Sequence, residues 1–348
     1  MLIVRSLDDL ENNGKPPASA VAIGMFDGVH LGHRMVLESA IRQARVLGVP
    51  AAVFSFANHP QTLLSNFTPQ LLSTFEERMA AFEAMGFDTA VMPDFTPAMR
   101  DLSPEAFVKE VLIGKLGVQS VSVGYDHRFG KNRAGNGDVL QACGDRLGFD
   151  VQVIAPVRVA EAEHHEIVSS TLIRKLLSYG DVGEAAVLLG RPYALSGNVI
   201  EGFARGRTLG FPTANLDIPK ERLMPATGVY AGWASREGET YPAVCNIGFS
   251  PTFDADGVPG KRMEVFLMDY TGVDFYGCPL TFTFVQKVRN EEKFASKDAL
   301  VAQIRRDCEE ARGLLSLNAS AFPNPIESDV SIHEPFPPQA QGKPTAAP

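Results

Sequence analysis

Cysteine is scarce in this chain. The four residues, Cys143, Cys245, Cys278 and Cys308, are scattered without metal-ligand spacing. That argues against a zinc-ribbon or disulfide-stapled scaffold and suits reduced thiols. No apolar run approaches the roughly 20 residues that a membrane helix needs. The opening Met1-Leu2-Ile3-Val4-Arg5-Ser6 has no basic segment followed by a long apolar stretch, so a cytoplasmic location is expected. Positive charge is not in excess either, since 32 Lys and Arg face 41 Asp and Glu, a net charge of −9. A general nucleic-acid binder would carry a basic face, so neither nucleic acid nor membrane is an expected partner. Anionic small molecules are not excluded, because local groups bind them. No internal repeat is found.

What is present describes an ordinary globular protein, with 45% hydrophobic and 21% charged residues. A length of 348 residues exceeds one typical core and predicts two domains. The first half alternates short apolar runs with helical patterns. Strands are predicted at Val21–Ile23, Ala51–Phe56, Thr89–Met92, Ser120–Val123 and Val151–Ile154. Helices are predicted at Gly32–Leu47, Phe75–Met85, Pro104–Leu116, Val139–Leu147, Ser170–Ser178 and Asp181–Leu189. Such alternation implies an α/β domain with a parallel sheet, whose ligand lies beyond the carboxyl ends of the strands.

After Gly190-Arg191-Pro192 the texture changes. Short β-like runs at Tyr193–Ile200, Gly228–Ala234, Tyr241–Ile247, Met263–Met268 and Leu280–Val288 are separated by Gly, Pro, Asp and Asn. They predict a small antiparallel barrel or sandwich, followed by one helix capped by Ser296. The last stretch, Asn318–Pro348, is rich in Pro, Ala, Ser and Gln and reads as a disordered tail. The expected units are therefore residues 1–186, 187–317 and a tail over 318–348.

The most informative segment is Gly24-Met25-Phe26-Asp27-Gly28-Val29-His30-Leu31-Gly32-His33. It falls where the first predicted strand gives way to the first predicted helix. Free N–H groups and the positive helix end favour an anion there. Two histidines three residues apart share a helix face, and Gly32 allows close approach of a ligand to the backbone. A bare H-x-x-H would read as two surface histidines or half a metal site. The strand and turn before it favour nucleotide-phosphate binding.

Three further clusters follow: Asn58-His59-Pro60, then Gly124-Tyr125-Asp126-His127-Arg128-Phe129-Gly130, then Val168-Ser169-Ser170-Thr171-Leu172-Ile173-Arg174. The second combines glycines, cations and rings, which suits a phosphate and a flat heterocycle, or else a solvated loop. The third offers hydroxyls and N–H groups at a helix start, or else a simple N-cap. In this order the four clusters resemble the nucleotidyltransferase superfamily with the H-x-G-H signature. More closely, they resemble the FMN adenylyltransferase module of the bacterial bifunctional riboflavin kinase/FAD synthetases.

The resemblance implies attack of an FMN phosphate oxygen on the α-phosphorus of ATP, with pyrophosphate leaving. It implies ATP contacts from Gly24, Phe26, Asp27, Gly28, His30, His33, Ser169, Ser170, Thr171 and Arg174. Of these, His30, His33 and Arg174 would serve catalysis. Flavin contacts would come from Asn58, His59, Asp126, Arg128 and Phe129. Asn58, His127 and Leu172 depart from the family pattern of proline, phenylalanine and arginine.

In the second half, Gly202 through Gly206-Arg207-Thr208-Leu209-Gly210-Phe211-Pro212-Thr213-Ala214-Asn215 offers N–H donors for phosphate and oxygens for Mg²⁺. On its own it reads sooner as a barrel turn punctuated by Gly210 and Pro212. The run G-R-x-L-G-F-P-T-A-N resembles the riboflavin kinase signature. Its companions are Gly228-Val229-Tyr230, Asn246-Ile247-Gly248, Glu264-Val265 and Val288-Arg289-Asn290-Glu291-Glu292-Lys293-Phe294. The resemblance implies ATP contacts from Gly202, Arg207, Gly210, Pro212, Thr213 and Asn215, with Mg²⁺ on Thr213 and Asn215. Glu264 would be the general base on the ribityl hydroxyl. Glu201 stands where the family commonly has histidine.

The expectation is thus a bifunctional enzyme that converts riboflavin to FMN and FMN to FAD, using ATP and Mg²⁺. Riboflavin, FMN and ATP are its expected small-molecule partners, and at most a weak homo-oligomer is expected. The rivals are a kinase with little adenylyl transfer, and a flavin-binding regulator with dead sites. The base Glu264 speaks against the latter, since a binder has no use for one.

Overall fold

The computed structural model describes residues 1–12, 18–64, 69–159, 166–201, 210–253, 259–272 and 275–317. The stretch 202–209, with Gly202 and Arg207, and the predicted tail over 318–348 lie outside the described residues.

The first half is a six-stranded parallel sheet. Its strands are β1 (Leu2–Val4), β2 (Ser19–Ile23), β3 (Ala51–Phe54), β4 (Thr89–Val91), β5 (Val118–Gly124) and β6 (Asp150–Ile154), in the order β1-β4-β3-β2-β5-β6. Every residue of β2 and β3 is buried, as expected of a parallel sheet covered on both faces. Helices α1 (Leu31–Leu47) and α2 (Phe75–Met85) close one face through Val36, Leu37, Met79 and Phe82. The other face carries α3 (Gly137–Leu147) and a segment that starts at Pro104 and continues as π-helical turns over Phe107–Lys115. From β2 the chain winds out through β3 to β4, and later returns to the other side of β2 as β5. The reversal lies between β2 and β5, where open α/β sheets bind their ligands.

Local chemistry sets the helix ends. Thr74 and Glu77 form a reciprocal capping box at the start of α2. Ser103 accepts from the Ala106 N–H ahead of Pro104. Gly48, Gly86 and Gly148 end α1, α2 and α3 in the left-handed conformation.

Helices α4 (Ser170–Tyr179) and α5 (Val182–Leu189) lead into a closed antiparallel barrel. Its strands are β7 (Ala194–Ile200), β8 (Ala214–Asp217), β9 (Gly228–Arg236), β10 (Glu239–Phe253), β11 (Pro259–Leu267) and β12 (Pro279–Arg289), ordered β10-β11-β8-β7-β12-β9. Helix α6 (Lys297–Leu317) lies on the barrel, with Ala311 and Leu315 buried against Val229, Ala231 and Val244. Its first turn is capped by Ser296, whose hydroxyl accepts from the Ala299 N–H.

Two strands escaped the sequence reading. β1 has three residues, too few for a periodic signal. β8 begins at the end of the run read as a phosphate loop. The choice between sandwich and barrel is settled as a barrel by the pairing of β12 with both β7 and β9. One apolar cluster joins the two halves: Leu72, Ile173, Leu177 and Leu189 pack in the same core as Tyr193, Tyr230, Phe282 and Phe284.

Candidate active sites

The first site grows from the end of β2. Gly24 follows the strand, and Phe26 and Val29 take positive φ values of 50° and 42° on the way to α1. His30 is the N-cap of α1, and its Nδ1 accepts from the His33 backbone N–H at 3.2 Å. Its proton therefore sits on Nε2. The His30 and His33 rings stack with centroids 3.5 Å apart. Burial, with Arg191 and Arg174 adding to it, lowers the His30 pKa to about 3. His33 is also held well below its ordinary value, by burial and then by His30, Arg174 and Arg191. Both imidazoles are neutral at pH 7. Nδ1 of His33 is buried without a hydrogen-bond partner among the described residues.

A second helix start meets the first. Ser169 caps α4 by accepting from the Leu172 N–H, and the Ser170 hydroxyl donates to the Asp27 carbonyl at 3.0 Å. A side chain at Gly32 would lie 3.3 Å from the His30 ring and 3.5 Å from the Val168 carbonyl. Two positive helix ends and a neutral histidine pair therefore come together beside Gly32.

Asp27 and Arg174 are tied to each other. Asp27 is 3% exposed, and its carboxylate accepts from Leu72 N–H, Ser73 N–H and the Ser73 hydroxyl at 3.0 Å each. Arg174 pairs with the same carboxylate and donates through Nε to the Gln70 carbonyl at 2.8 Å. Asp27 thus serves as a hub for the loop, with its acceptors occupied. Thr171 is exposed at the start of α4, whereas Leu172 is half-buried against the shared core. Apolar packing fills the position where the family pattern has arginine.

The flavin candidates follow β3 and β5, on either side of β2. Asn58 accepts from the Phe95 N–H at 2.7 Å, tying the loop after β3 to the one after β4, and His59 accepts from the Gln61 N–H at 3.2 Å within its own turn. The fields of Arg174 and Asp27 reach His59, whose pKa is lowered mainly by burial. Asp126 and Arg128 are exposed on the loop after β5. Phe129 is a core residue, 5.6 Å from the Phe107 ring centroid, so it anchors this loop from beneath. His127 stacks on Phe129 at 5.7 Å, with its Nε2 buried and unpartnered among the described residues.

The second site lies on neighbouring barrel strands. Glu264 of β11 stands opposite Asn215 of β8 and opposite Asn246 of β10. Directly opposed side chains share a face, so the carboxylate is flanked by two amides. Burial, then the Glu264 charge, pushes the neighbouring Cys245 thiol well above its ordinary pKa. A side chain at Gly248 would fall 2.4 Å from Glu291 Oε1 and 3.4 Å from the Asn246 amide nitrogen. Glu291 is thereby brought to the same patch, a placement that the sequence reading missed. Thr213 is half-buried just before β8, Pro212 is exposed and Gly210 has a φ of 85°.

Comparison with known proteins agrees with this division. The FAD synthetase family matches residues 12–172 and the riboflavin kinase family matches residues 189–315. The bifunctional riboflavin kinase/FMN adenylyltransferase of Pseudomonas fluorescens is 37% identical over 92% of this chain and 99% of its own length. That of Bacillus subtilis is 36% identical over 84% of this chain and 91% of its own length. The Escherichia coli enzyme is 34% identical over 92% of this chain and 100% of its own length. A solved structure described as a macrolide-efflux protein from Streptococcus pneumoniae has a TM-score of 0.79 at 30% identity, over 89% of this chain and 98% of that one. Among the described residues no helix is long and apolar enough to cross a membrane. The chain belongs to the family of bifunctional riboflavin kinase/FMN adenylyltransferases.

Proposed function

We propose that this chain makes FMN from riboflavin in its barrel and FAD from FMN in its α/β half, drawing ATP for both. The observation that carries the first-half assignment is the neutral His30–His33 stack between two helix starts. In adenylyl transfer the FMN phosphate oxygen attacks the α-phosphorus, the bond to the pyrophosphate oxygen breaks, and negative charge gathers on the phosphates. Neutral imidazoles donate to that charge through N–H groups, while the helix ends and Arg174 add positive potential. Ser169, Ser170 and Thr171 line the same start of α4. Gly24, Phe26, Asp27 and Gly28 shape the loop beneath the nucleotide. Asn58, His59, Asp126, Arg128 and Phe129 border the flavin. No covalent intermediate is required.

In the barrel, Glu264 accepts the proton of the ribityl hydroxyl as that oxygen attacks the γ-phosphorus of ATP, the bond to the β,γ-bridging oxygen breaks and ADP leaves. The amides of Asn215 and Asn246 on either side hold its carboxylate in place. The Thr213 hydroxyl and the Asn215 amide oxygen are hard donors that suit Mg²⁺, which keeps waters and phosphate oxygens as its other ligands. Hydroxyl and amide oxygens, without thiolate or imidazole, make a donor set that fits Mg²⁺ better than zinc. When bound, the ion neutralises phosphate charge during transfer. Gly202, Arg207, Gly210 and Pro212 complete this assignment from the motif.

We further assign residues 1–186 to adenylyl transfer and 187–317 to the kinase, with 318–348 as a tail required by neither. A cytoplasmic location fits these substrates. The test is direct. Pure protein incubated with riboflavin and Mg-ATP should yield FMN and then FAD on chromatographic separation, with pyrophosphate released only in the second step. Accumulation of FMN without FAD would reduce the assignment to the kinase alone.

A further inference from the structure

One short strap touches both halves at once. Residues 70–73 run between the loop that carries Asp27 and the barrel segment Pro219–Leu223. Toward the barrel, Leu71 pairs with Arg222 as in a parallel sheet. Its N–H donates to the Glu221 carbonyl at 2.6 Å, and its carbonyl accepts from the Leu223 N–H at 3.0 Å. Toward the first site, the neighbouring Leu72 and Ser73 donate to Asp27, the Ser73 hydroxyl accepts from the Gly28 N–H at 2.7 Å, and the Gln70 carbonyl accepts from Arg174. Leu71 turns both of its backbone groups to the barrel while Gln70, Leu72 and Ser73 address the first site, so the strap serves both partners.

Arg222 is the barrel's anchor for it. It is 3% exposed and donates to the Ala194 carbonyl at 3.0 Å and to Glu77 at 3.3 Å. Glu77 is the residue that closes the capping box on Thr74, directly after the strap. A second arginine, the half-buried Arg191, holds the other edge of the loop through the Gly28 carbonyl at 2.8 Å and the Val29 carbonyl at 3.3 Å.

We propose that Arg222 is a positioning residue for adenylyl transfer, acting from the kinase half through the strap 70–73 on Asp27, Gly28 and Arg174. The inference rests on the assignment of the first site above. With the barrel contacts in place, the strap meets the site already ordered. Without them, Asp27 loses settled donors, Arg174 loses one of its two anchors, and the loop before His30 is freed. Displacement of a phosphate-binding loop by about 1 Å can cost on the order of 100-fold in rate.

The test uses the full chain. Arg222→Ala should lower kcat/KM for ATP in FMN-to-FAD conversion by about 10-fold or more, while riboflavin phosphorylation stays within about two-fold of the parent. Arg222→Lys, which keeps the charge, should recover part of the loss. Glu77→Gln, which can retain the capping bonds, should move adenylyl transfer in the same direction as Arg222→Ala and leave the kinase alone. Combined with Ser73→Ala, Arg222→Ala should cost little more than the worse single change, because both act on one strap. A folded Arg222→Ala protein with unchanged FAD formation, a parallel fall in both activities, or additive losses in the double variant would each overturn the inference. A folded His30→Ala, His33→Ala protein that still makes FAD would overturn the site assignment, and this inference with it.

Discussion

Glu264 stands directly across from Asn215 in one barrel ladder and directly across from Asn246 in the next. The carboxylate is therefore flanked on neighbouring strands rather than left on a loop, and its role can be tested by removing the charge alone. Glu264→Gln should reduce FMN formation from riboflavin by roughly 10²–10⁴-fold, the usual share of general-base catalysis. Supplied FMN should still become FAD at near the normal rate. His30→Ala with His33→Ala should do the reverse. Chromatography of the flavins reads both, with circular dichroism as the control for folding. A folded Glu264→Gln protein that loses both activities would count against two independent sites.

Gly28 has a φ of 82°, and a side chain there would meet Cβ and Cδ1 of Leu72 at 3.0 Å each. Gly28→Ala should cost about 1–3 kcal/mol of stability through the left-handed backbone alone. Because the loop leads into His30, FAD formation should fall more than FMN formation. Urea unfolding and the two assays on one preparation check this, and equal losses in both activities would contradict it.

His127 should govern part of the response to acid. Burial, with Arg133 adding to it, lowers its pKa from 6.5 to about 4, and His30 is lowered to about 3. Unfolded chains take up protons as the pH falls through 6.5, whereas the folded protein refuses them until much lower. The unfolded state binds more protons between these values, so stability falls as the pH drops from about 6.5 toward 4. His127→Phe should flatten that slope. It should also stabilise the protein by about 1 kcal/mol at pH 7, because an unpartnered buried nitrogen is removed. Denaturation midpoints at several pH values decide the matter, and an unchanged slope would show that His127 is protonated in the native state.

Asp307 holds α6 to the barrel. Its carboxylate receives both Nε and Nη2 of Arg289 at 2.8 Å and the Gln303 amide at 2.8 Å, and it is 3% exposed. Asp307→Ala should destabilise by about 3–5 kcal/mol, since it strands a partly buried guanidinium. Asp307→Asn should cost less. The expected signature is a lowered Tm with early loss of kinase activity, because Arg289 directly precedes Asn290 and Glu291 beside Gly248. If Asp307→Ala leaves the Tm in place, α6 is held by its apolar stripe alone.

Features that depend on near neighbours were legible in the chain itself. The strand–turn–helix around His30, the caps at Ser103, Ser169 and Ser296, and the change from α/β alternation to short antiparallel runs all follow from periodicity and capping within a few residues. The two signatures marked the family that each half matches. What the side chains of the motif loops do was a different matter. Asp27, expected as an ATP contact, is also the hub that Arg174, Leu72 and Ser73 share, and Phe129, expected as a flavin contact, also packs in the core beneath its loop. β8 lay hidden at the end of a loop motif because its partners, β7 and β11, lie at a distance along the chain. Arg174 and Asp27 are separated by 147 positions, and Arg222 and Leu71 by 151. No spacing rule spans such distances. Only the packed core common to both halves brings these groups within hydrogen-bond reach, because burial of its apolar surface, rather than any local preference, sets where the barrel sits.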